Sequence, residues 1–374
     1  MKVLVLSVST GRGHYATGIA LEQQFTQMGV ECRVIDTYEY IEPMLKELLS
    51  RGYTFVSEIV PRKITGSIYE RIVKKSEPYS DLSVTKLTNK MMANELRTYI
   101  DDYDPDVVIC THVLSATLIN ILEEKNRIRG ITVGVVTDFT IHPLWEDARY
   151  VDYYVTPSEL LEFQMLRKGL DIQKMLPFGI PIQPKFSHRI DQKEARKQLG
   201  LDPDKKTLLI MSGSMGYGRI DESIAKLDRL DLDFQALVVC GSNQRMQKKV
   251  GAMTLRKDFR IFGFVDNVDL MMDASDCIIT KPGGITSSEA LAKGIPMVMI
   301  NPIPGHEYRN AEFMLNNGLA LFATKTYPLD EAIFSLFKHP ERIETLRKNL
   351  ALYGKQDSTK VLCEFLIEKF SEKK

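Results

Sequence analysis

The sequence has no surplus of charge of either sign, because its 49 Lys and Arg residues equal its 49 Asp and Glu residues. A protein that binds nucleic acid over a broad surface needs a basic surplus, so the overall charge does not favour nucleic acid as a partner. Cysteine is also sparse, with five residues spread over 374. Most of them stand in apolar runs, which is typical of small core residues in a reducing compartment rather than of a disulfide framework.

Long apolar runs are missing as well. No stretch approaches the ~20 residues that a helix needs to span a bilayer. The sequence starts with a short strand pattern, MKVLVLS, in place of the apolar region of a signal peptide. We therefore expect a cytoplasmic protein, or one held peripherally on the cytosolic face of the cell membrane.

Three catalytic signatures are absent from the sequence. The glycine-rich stretch SGSMGYG, residues 212–218, lacks the lysine of a P-loop, which argues against nucleoside triphosphate hydrolysis. No Gly-x-Ser-x-Gly elbow is present, so a covalent serine hydrolase is not suggested. His112, His142 and Asp138 have no recognised spacing of metal ligands, and we predict neither a metal site nor a cofactor.

The sequence does contain a repeated alternation of strand and helix patterns. Apolar runs such as residues 3–8 fit strands that are covered on both faces of a parallel sheet. The alternation restarts near residue 207, after a proline-containing stretch at residues 179–186. This pattern predicts an α/β protein with two Rossmann-like domains facing across a cleft, residues 1–184 and 185–350. Residues 351–374 are predicted to form a helix that crosses back to the first domain.

The most informative stretch runs from residue 276 to residue 310. It predicts a strand at residues 277–280, a Pro-Gly-Gly turn, a helix and a second strand. Gly283 and Gly284 permit positive φ and let a ligand approach the backbone, while the helix start offers unpaired N–H groups to a phosphate. Glu289, one turn into the helix, can accept hydrogen bonds from two neighbouring hydroxyls, as on a ribose. An ordinary glycine turn with a solvated glutamate is the alternative.

Two further loops can contribute to the same site. SGSMGYG follows a predicted strand and offers hydroxyls and N–H groups to a phosphate. PIPGHEYRN supplies His306, Glu307 and Asn310, which suit the fixing of sugar hydroxyls. On its own this last stretch would read as a surface loop.

In the first half, GRGHYATG follows the first strand but does not fit the GxGxxG dinucleotide fingerprint. The helix dipole disfavours the charged form of His14, so a neutral imidazole that takes up a proton is a reasonable prediction. Asp138 could orient His14 or act as the base itself. Trp145, next to His142, offers a flat face to a sugar ring or an acyl chain. The alternatives are a capping or surface histidine, a structural aspartate and a core tryptophan.

A locally basic and apolar segment spans residues 51–75. Such a segment can lie on an anionic membrane surface, with each basic residue contributing about 1 kcal/mol. A packed helical pair with a solvated basic face explains the pattern equally well. The basic residues that we assign to membrane binding are Arg62, Lys63, Arg71, Lys74 and Lys75.

Seven motifs follow one another in an order that resembles a known family: GRGHYATG, VVTDFxxHxxW, GIPIxPxF, SGSMG, GFV, KPGGITSSEA and PxPGHExxN. Together they resemble the diacylglycerol glycosyltransferases, which comprise bacterial processive diacylglycerol glucosyltransferases and plant monogalactosyldiacylglycerol synthases. The similarity covers nearly the whole chain. More distantly, the chain is similar to the transferase that adds N-acetylglucosamine to the peptidoglycan lipid precursor.

This resemblance implies a GT-B fold in which residues 1–184 bind the lipid acceptor and the membrane and residues 185–350 bind a UDP-sugar. It implies an inverting transfer of a hexose from UDP-glucose or UDP-galactose to diacylglycerol, which can repeat on the product. His14 is the expected base, with Asp138 as its partner or replacement. The implied donor contacts are Gly213 and Ser214 at the diphosphate, Phe264 and Val265 at the uracil, Gly283, Gly284, Ile285 and Thr286 at the phosphates, Glu289 at the ribose, and His306 with Glu307 at the sugar.

Two positions depart from the family pattern. Gln183 stands where relatives commonly have arginine, which leaves Arg219 as a substitute cation near the diphosphate. His306 stands where relatives commonly have glutamine, so the identity of the donor sugar stays open. Two other functions also stay open: transfer to another lipid-linked acceptor, such as an undecaprenyl-linked saccharide, and a UDP-sugar sensor without turnover.

Overall fold

The computed structural model describes residues 1–8, 13–39, 83–125, 127–211, 219–303 and 305–373. Several predicted site residues lie outside these ranges. They are Gly213 and Ser214 of the second glycine-rich loop and the basic residues Arg62, Lys63, Arg71, Lys74 and Lys75.

The chain divides into two compact units. The first contains Met1–Pro184, Pro304–His306 and Asp357–Lys374, and the second contains Lys185–Ile303 and Glu307–Gln356. Each unit is built around one parallel sheet, and each has a hydrophobic core of its own.

In the first unit, the described residues form a six-stranded sheet in the order β2-β1-β3-β4-β5-β6. Every neighbouring pair is parallel. The inner strands are continuous apolar runs because helices cover both faces of the sheet. The strands are β1 (Lys2–Ser7), β2 (Glu31–Asp36), β3 (Val107–Cys110), β4 (Ile131–Val135), β5 (Tyr153–Val155) and β6 (Met175–Leu176).

Five helices of the described residues belong to the first unit. They are α1 (Gly13–Gln27), α2 (Ser83–Tyr103), α3 (Val113–Glu123), the short α4 (Glu162–Arg167) and, from the far end of the chain, α13 (Ser358–Glu372). Leu362, Cys363 and Leu366 of α13 enter the core formed by strands β1, β3 and β4. At the start of α13, Ser358 Oγ donates to Ile180 O at 2.9 Å.

In the second unit, the described residues form a six-stranded parallel sheet in the order β12-β11-β10-β7-β8-β9. The strands are β7 (Thr207–Met211), β8 (Gln235–Val239), β9 (Phe259–Phe262), β10 (Cys277–Thr280), β11 (Met297–Met299) and β12 (Ala320–Phe322). The helices are α5 (Gln192–Gln198), α6 (Ile220–Asp228), α7 (Gln244–Gly251), α8 (Val268–Ala274), α9 (Gly284–Lys293), α10 (His306–Asn316), α11 (Leu329–Lys338) and α12 (Pro340–Tyr353). The first residue of α10, His306, is counted with the first unit.

In each sheet there is one point at which the order of neighbouring strands reverses, although all strands stay parallel. In the first unit the reversal lies between β1 and β3, and in the second it lies between β7 and β10. Open parallel sheets bind ligands outside the carboxyl ends of the strands at such a reversal, because the flanking helices there lead away to opposite faces. We therefore expect ligand binding at the segments that follow β1, β3, β7 and β10.

Candidate active site

His14 lies in the first turn of α1, next to the reversal in the first sheet. Its Nδ1 atom lies 2.9 Å from Thr111 O, at the end of β3, and 2.8 Å from Thr137 Oγ1, beyond β4. A carbonyl oxygen can only accept a hydrogen bond, so Nδ1 must carry the proton. The lone pair of the ring is then on Nε2, which is the atom that can take a proton from a substrate.

Burial lowers the pKa of His14 below its ordinary value. The hydrogen bond to Thr111 and the negative charge of Asp138 act in the opposite direction but are weaker. The imidazole is therefore held neutral at physiological pH, which is the form that a general base requires.

A second histidine packs against His14. The ring centroids of His14 and His112 are 4.5 Å apart, and the rings meet edge to face at 89°. His112 is the N-cap of α3, where its Nδ1 accepts a hydrogen bond from Leu114 N at 3.1 Å. Burial, helped by the nearby His14 and His142, lowers the pKa of His112 to about 3. His112 is thus a neutral neighbour that adds no positive charge to the site.

The remaining predicted residues of this unit have different environments. Asp138 is half-buried and close enough to His14 to affect its pKa. His142 caps the short helix Pro143–Asp147, with Nδ1 accepting from Leu144 N at 3.2 Å.

Trp145 is a buried residue of the first unit, with 4 % of its surface exposed. Its ring presses on Gly134 of β4, where a Cβ atom would come within 2.6 Å of the indole, and it meets Tyr154 edge to face. These are the contacts of a core tryptophan, which was the alternative raised by the sequence. With so little of its surface exposed, the indole has little free face to offer an acceptor.

In the second unit, the Pro-Gly-Gly turn leads from β10 directly into α9. The N-cap of α9 is Gly283, which has no side chain to bond the first N–H groups of the helix. Gly283 has a φ of −77°, so the turn does not use the positive φ that glycine allows. A Cβ at Gly283 would meet nothing within 4 Å, so the missing side chain leaves open space at the helix start. Unpaired N–H groups and the helix dipole make this a favourable place for a phosphate.

Glu289 follows in α9 and is partly buried. Loss of hydration raises the pKa of its carboxyl to about 8, with Lys185 lowering it and Asp269 raising it by smaller amounts. A carboxyl held in this way gains from a ligand that donates hydrogen bonds to its ionised form, as two ribose hydroxyls would.

The sequence assigned Glu307 and Asn310 to a loop, whereas the structure places both in helix α10 with their side chains buried. Glu307 Oε1 accepts from Lys281 Nζ at 2.9 Å, and Oε2 accepts from Ile303 N at 2.7 Å. The side-chain amide of Asn310 donates to Pro282 O at 3.1 Å. Both side chains therefore bond to loops of the same unit that follow β10 and β11.

Other predicted donor residues lie nearer the surface. Ile285 and Thr286 are half-buried in the first turn of α9, while His306 is exposed at the start of α10. Phe264 and Val265 lie in the loop after β9, with Phe264 70 % exposed. Arg219, the candidate substitute cation, forms an ion pair with Glu222 one turn along α6.

Three residues of these environments were missed by the sequence analysis. They are Thr111 and Thr137, which fix the orientation of His14, and Lys281, which pairs with Glu307. A backbone carbonyl carries no sequence signal, so the role of Thr111 could not be read from the chain. Lys281 was visible directly before the Pro-Gly-Gly turn, and its position at a strand end was the available signal.

Among the described residues, no group of three or more His, Cys, Asp or Glu side chains has an arrangement that could hold a metal ion. None of the helices in the described ranges combines the length and the apolarity that a membrane crossing requires.

Comparison with known proteins gives a consistent result over the whole chain. A family model described as monogalactosyldiacylglycerol (MGDG) synthase matches residues 14–182, and one described as glycosyl transferases group 1 matches residues 191–357. A processive diacylglycerol beta-glucosyltransferase of Bacillus thuringiensis is 30% identical over 86% of this chain and 81% of its own length. This chain belongs to the diacylglycerol glycosyltransferase family. A relative of the same name from Bacillus pumilus is 28% identical over 98% of this chain and 94% of its own length.

Solved structures agree with the family assignment at the level of the fold. MurG of Acinetobacter baumannii has a TM-score of 0.60 at 14% identity, covering 98% of this chain and 99% of that one. HepE of Anabaena, solved in complex with UDP-glucose, has a TM-score of 0.57 at 14% identity and covers all of both chains. The GT-B fold expected from the sequence motifs is confirmed.

Proposed function

We propose that this protein transfers a hexose from a UDP-hexose to the free hydroxyl of diacylglycerol, with inversion at the anomeric carbon. The observation that carries the proposal is the state of His14: a neutral imidazole whose Nδ1 is held by Thr111 and Thr137 and whose Nε2 is left with the lone pair. The family assignment supports the same reading, since its members are named for transfer to diacylglycerol.

In the proposed reaction, Nε2 of His14 takes the proton of the acceptor hydroxyl as its oxygen attacks the anomeric carbon. The bond from that carbon to the β-phosphate oxygen breaks, and UDP leaves with the electron pair. The N–H groups at the start of α9 face the developing charge on the diphosphate, as preorganised dipoles do in other transferases. Asp138 raises the pKa of His14 and so stabilises the imidazolium that forms.

The donor would be held mainly by the second unit. Glu289 binds the ribose, the backbone at Phe264 and Val265 pairs with uracil, and the turn at Gly283 and Gly284 takes the diphosphate. His306, exposed at the start of α10, reaches the hexose. We also propose that Gly213 and Ser214 contact the diphosphate, as the sequence motif implies. In the same proposal, residues 1–184 bind the acceptor and residues 185–350 bind the donor.

The lipid acceptor requires that the enzyme work at a membrane surface. We propose peripheral attachment to an anionic bilayer through the basic residues between 51 and 75, with repeated transfer to the glycolipid product. The charge pattern of that segment in the sequence supports this part of the proposal.

The test is UDP release by the purified protein with UDP-glucose or UDP-galactose, with and without diacylglycerol in anionic vesicles. We expect release that depends on diacylglycerol and on one of the two donors, which also identifies the sugar. Release with an undecaprenyl-linked saccharide but not with diacylglycerol would move the reaction to another acceptor. UDP-sugar binding without release on any lipid would contradict the transferase and favour a sensor.

A further inference from the structure

Both carboxylate oxygens of Glu307 already accept hydrogen bonds from other residues of the protein. One oxygen accepts from the ammonium of Lys281 and the other accepts from the backbone of Ile303. Only 7 % of the Glu307 side chain and 13 % of the Lys281 side chain are exposed. A buried charge is tolerated when it is paired and hydrogen-bonded, and here both conditions are met from inside the second unit.

The bonded groups belong to two different loops on the same edge of the sheet. Lys281 directly follows β10, and Ile303 lies in the loop after β11, which pairs with β10 in parallel. Asn310, three residues beyond Glu307 and on the same face of α10, donates to Pro282 next to Lys281. One face of α10 thus fastens the glycine turn and the loop of residues 301–303 together.

We infer that Lys281 and Glu307 form a brace that positions the loop of residues 301–303 and the start of α10, and that Lys281 is a positioning residue for the hexose of the donor. This inference rests on the proposed function and reassigns Glu307, which the sequence placed in contact with the sugar. His306 is bonded covalently to Glu307, so fixing Glu307 also fixes the start of α10 from which His306 projects. Gly305, with a φ of 107°, turns the chain into that start.

The brace acts on one part of the donor and not on the rest. The hydrogen bonds of the brace join Lys281, Glu307 and Ile303, whereas the ribose and the uracil are proposed to be held by Glu289 and by the loop after β9. Loss of the brace should therefore weaken UDP-hexose binding more than UDP binding. The ratio of the two affinities is a measurement that a merely structural ion pair would not change.

The chain offers a matched control at the other end of α9. Lys293 Nζ lies 2.6 Å from Asp273 Oδ2, with 1 % and 4 % of the two side chains exposed. This pair has the same chemistry and a similar burial, and it lies in the same unit. Its loss should destabilise the second unit without any selective effect on the hexose.

The experiment compares Lys281→Met with Lys293→Met in the full-length protein. For Lys281→Met we expect KM for the UDP-hexose to rise about tenfold, with kcat changing less and the Kd of UDP changing less than about twofold. For Lys293→Met we expect KM and Kd to move together. The double variant Lys281→Met with Glu307→Gln should be no worse than the worse single variant, because both single changes remove the same brace.

The decisive quantity is the ratio of KM for the UDP-hexose to the Kd of UDP. An equal ratio in Lys281→Met and Lys293→Met would overturn the inference. If Lys281→Met fails to fold, Lys281→Arg decides, since it keeps the cation but places it differently. We expect the ratio to rise about threefold in that variant, and an unchanged ratio would overturn the inference as well. The wild-type protein separates the two levels of the proposal: no turnover there refutes the function, whereas turnover with an unaltered ratio in the variants refutes only the brace.

Discussion

In the first unit, the helix that follows β1 carries His14 in its first turn, whereas in the second unit the helix that follows β10 starts with Gly283 and Gly284. Both helices start at the carboxyl edge of a parallel sheet, beside the point where the strand order reverses. A side chain with a lone pair occupies the first helix start, and a bare backbone with open space occupies the second. In the proposed function, the same topology therefore serves proton transfer at one helix start and anion binding at the other, and the difference lies in two or three residues.

Removing the base is the largest change that this comparison predicts. His14→Ala should lower kcat about 10²- to 10⁴-fold, the usual contribution of a general base, while the Kd of UDP stays nearly constant. Single-turnover assays and UDP titration measure the two quantities. His339→Ala is the control, because His339 is an exposed histidine of the second unit. Unchanged turnover in His14→Ala would exclude His14 as the base.

Glu289 gives a pH dependence with a defined sign. The carboxyl has a pKa of about 8 in the folded protein, against about 4.3 in an unfolded chain. If UDP binds the ionised form, its affinity should rise up to about tenfold per pH unit below 8 and level off above it. Glu289→Gln should remove this dependence and weaken UDP binding about tenfold, whereas the exposed Glu331→Gln should do neither.

The same pKa shift affects stability in the absence of ligand. Because the folded pKa lies above the unfolded one, the folded protein binds more protons between about pH 4.3 and pH 8. The contribution of Glu289 to stability is therefore present at low pH and is lost as the pH rises through this window. Thermal unfolding of wild type and Glu289→Gln should diverge as the pH rises, with the variant becoming relatively more stable, and parallel curves would contradict the shift.

The open space at the glycine turn can be filled directly. Gly283→Ala should fold normally, because φ is −77° and the new Cβ meets nothing within 4 Å. The methyl group would stand where the diphosphate approaches, and we expect about a fivefold loss of UDP affinity with little change in melting temperature. Gly251→Ala also places a Cβ in open space, at the end of α7, and serves as the control. Equal UDP affinities in the two variants would place the phosphate elsewhere.

The smallest predicted effect tests the neighbour of the base. His112→Asn keeps an acceptor at the N-cap of α3 but removes the ring that packs against His14. The pKa of His14 should then rise, because burial is the largest cause of its lowering and the effects of Asp138 and His306 stay as before. We expect kcat/KM to fall about threefold at pH 6 and to stay constant at pH 8. A uniform loss at both pH values would indicate disturbed packing instead.

The fold and part of the candidate site were predictable from local patterns. The strand at residues 277–280 was placed correctly, because an apolar run ends there at a proline and two glycines. Periodicity also predicted the two-sheet α/β architecture, and the ordered motifs predicted the GT-B fold. The edge strands Met175–Leu176 and Ala320–Phe322 were not predicted.

Contacts between distant segments were not predictable from one sequence. Trp145 is in the core because Gly134, eleven residues earlier, leaves room for its ring, and neither residue shows this alone. The bond from His14 to Thr111 joins residues 97 apart, and its acceptor is a backbone atom. Glu289 remains a predicted site residue whose role Glu289→Gln decides, and Asp138 remains the predicted partner of His14.

The position of α13 has a consequence for biosynthesis. Leu362, Cys363 and Leu366 complete the core of the first unit, and the hydroxyls of Ser358 and Thr359 bond to the carbonyls of Ile180 and Ile182. A ribosome adds these residues only after it has made the entire second unit. The first unit therefore emerges from the ribosome with part of its core uncovered. It completes its packing last, although most of its chain is synthesised first.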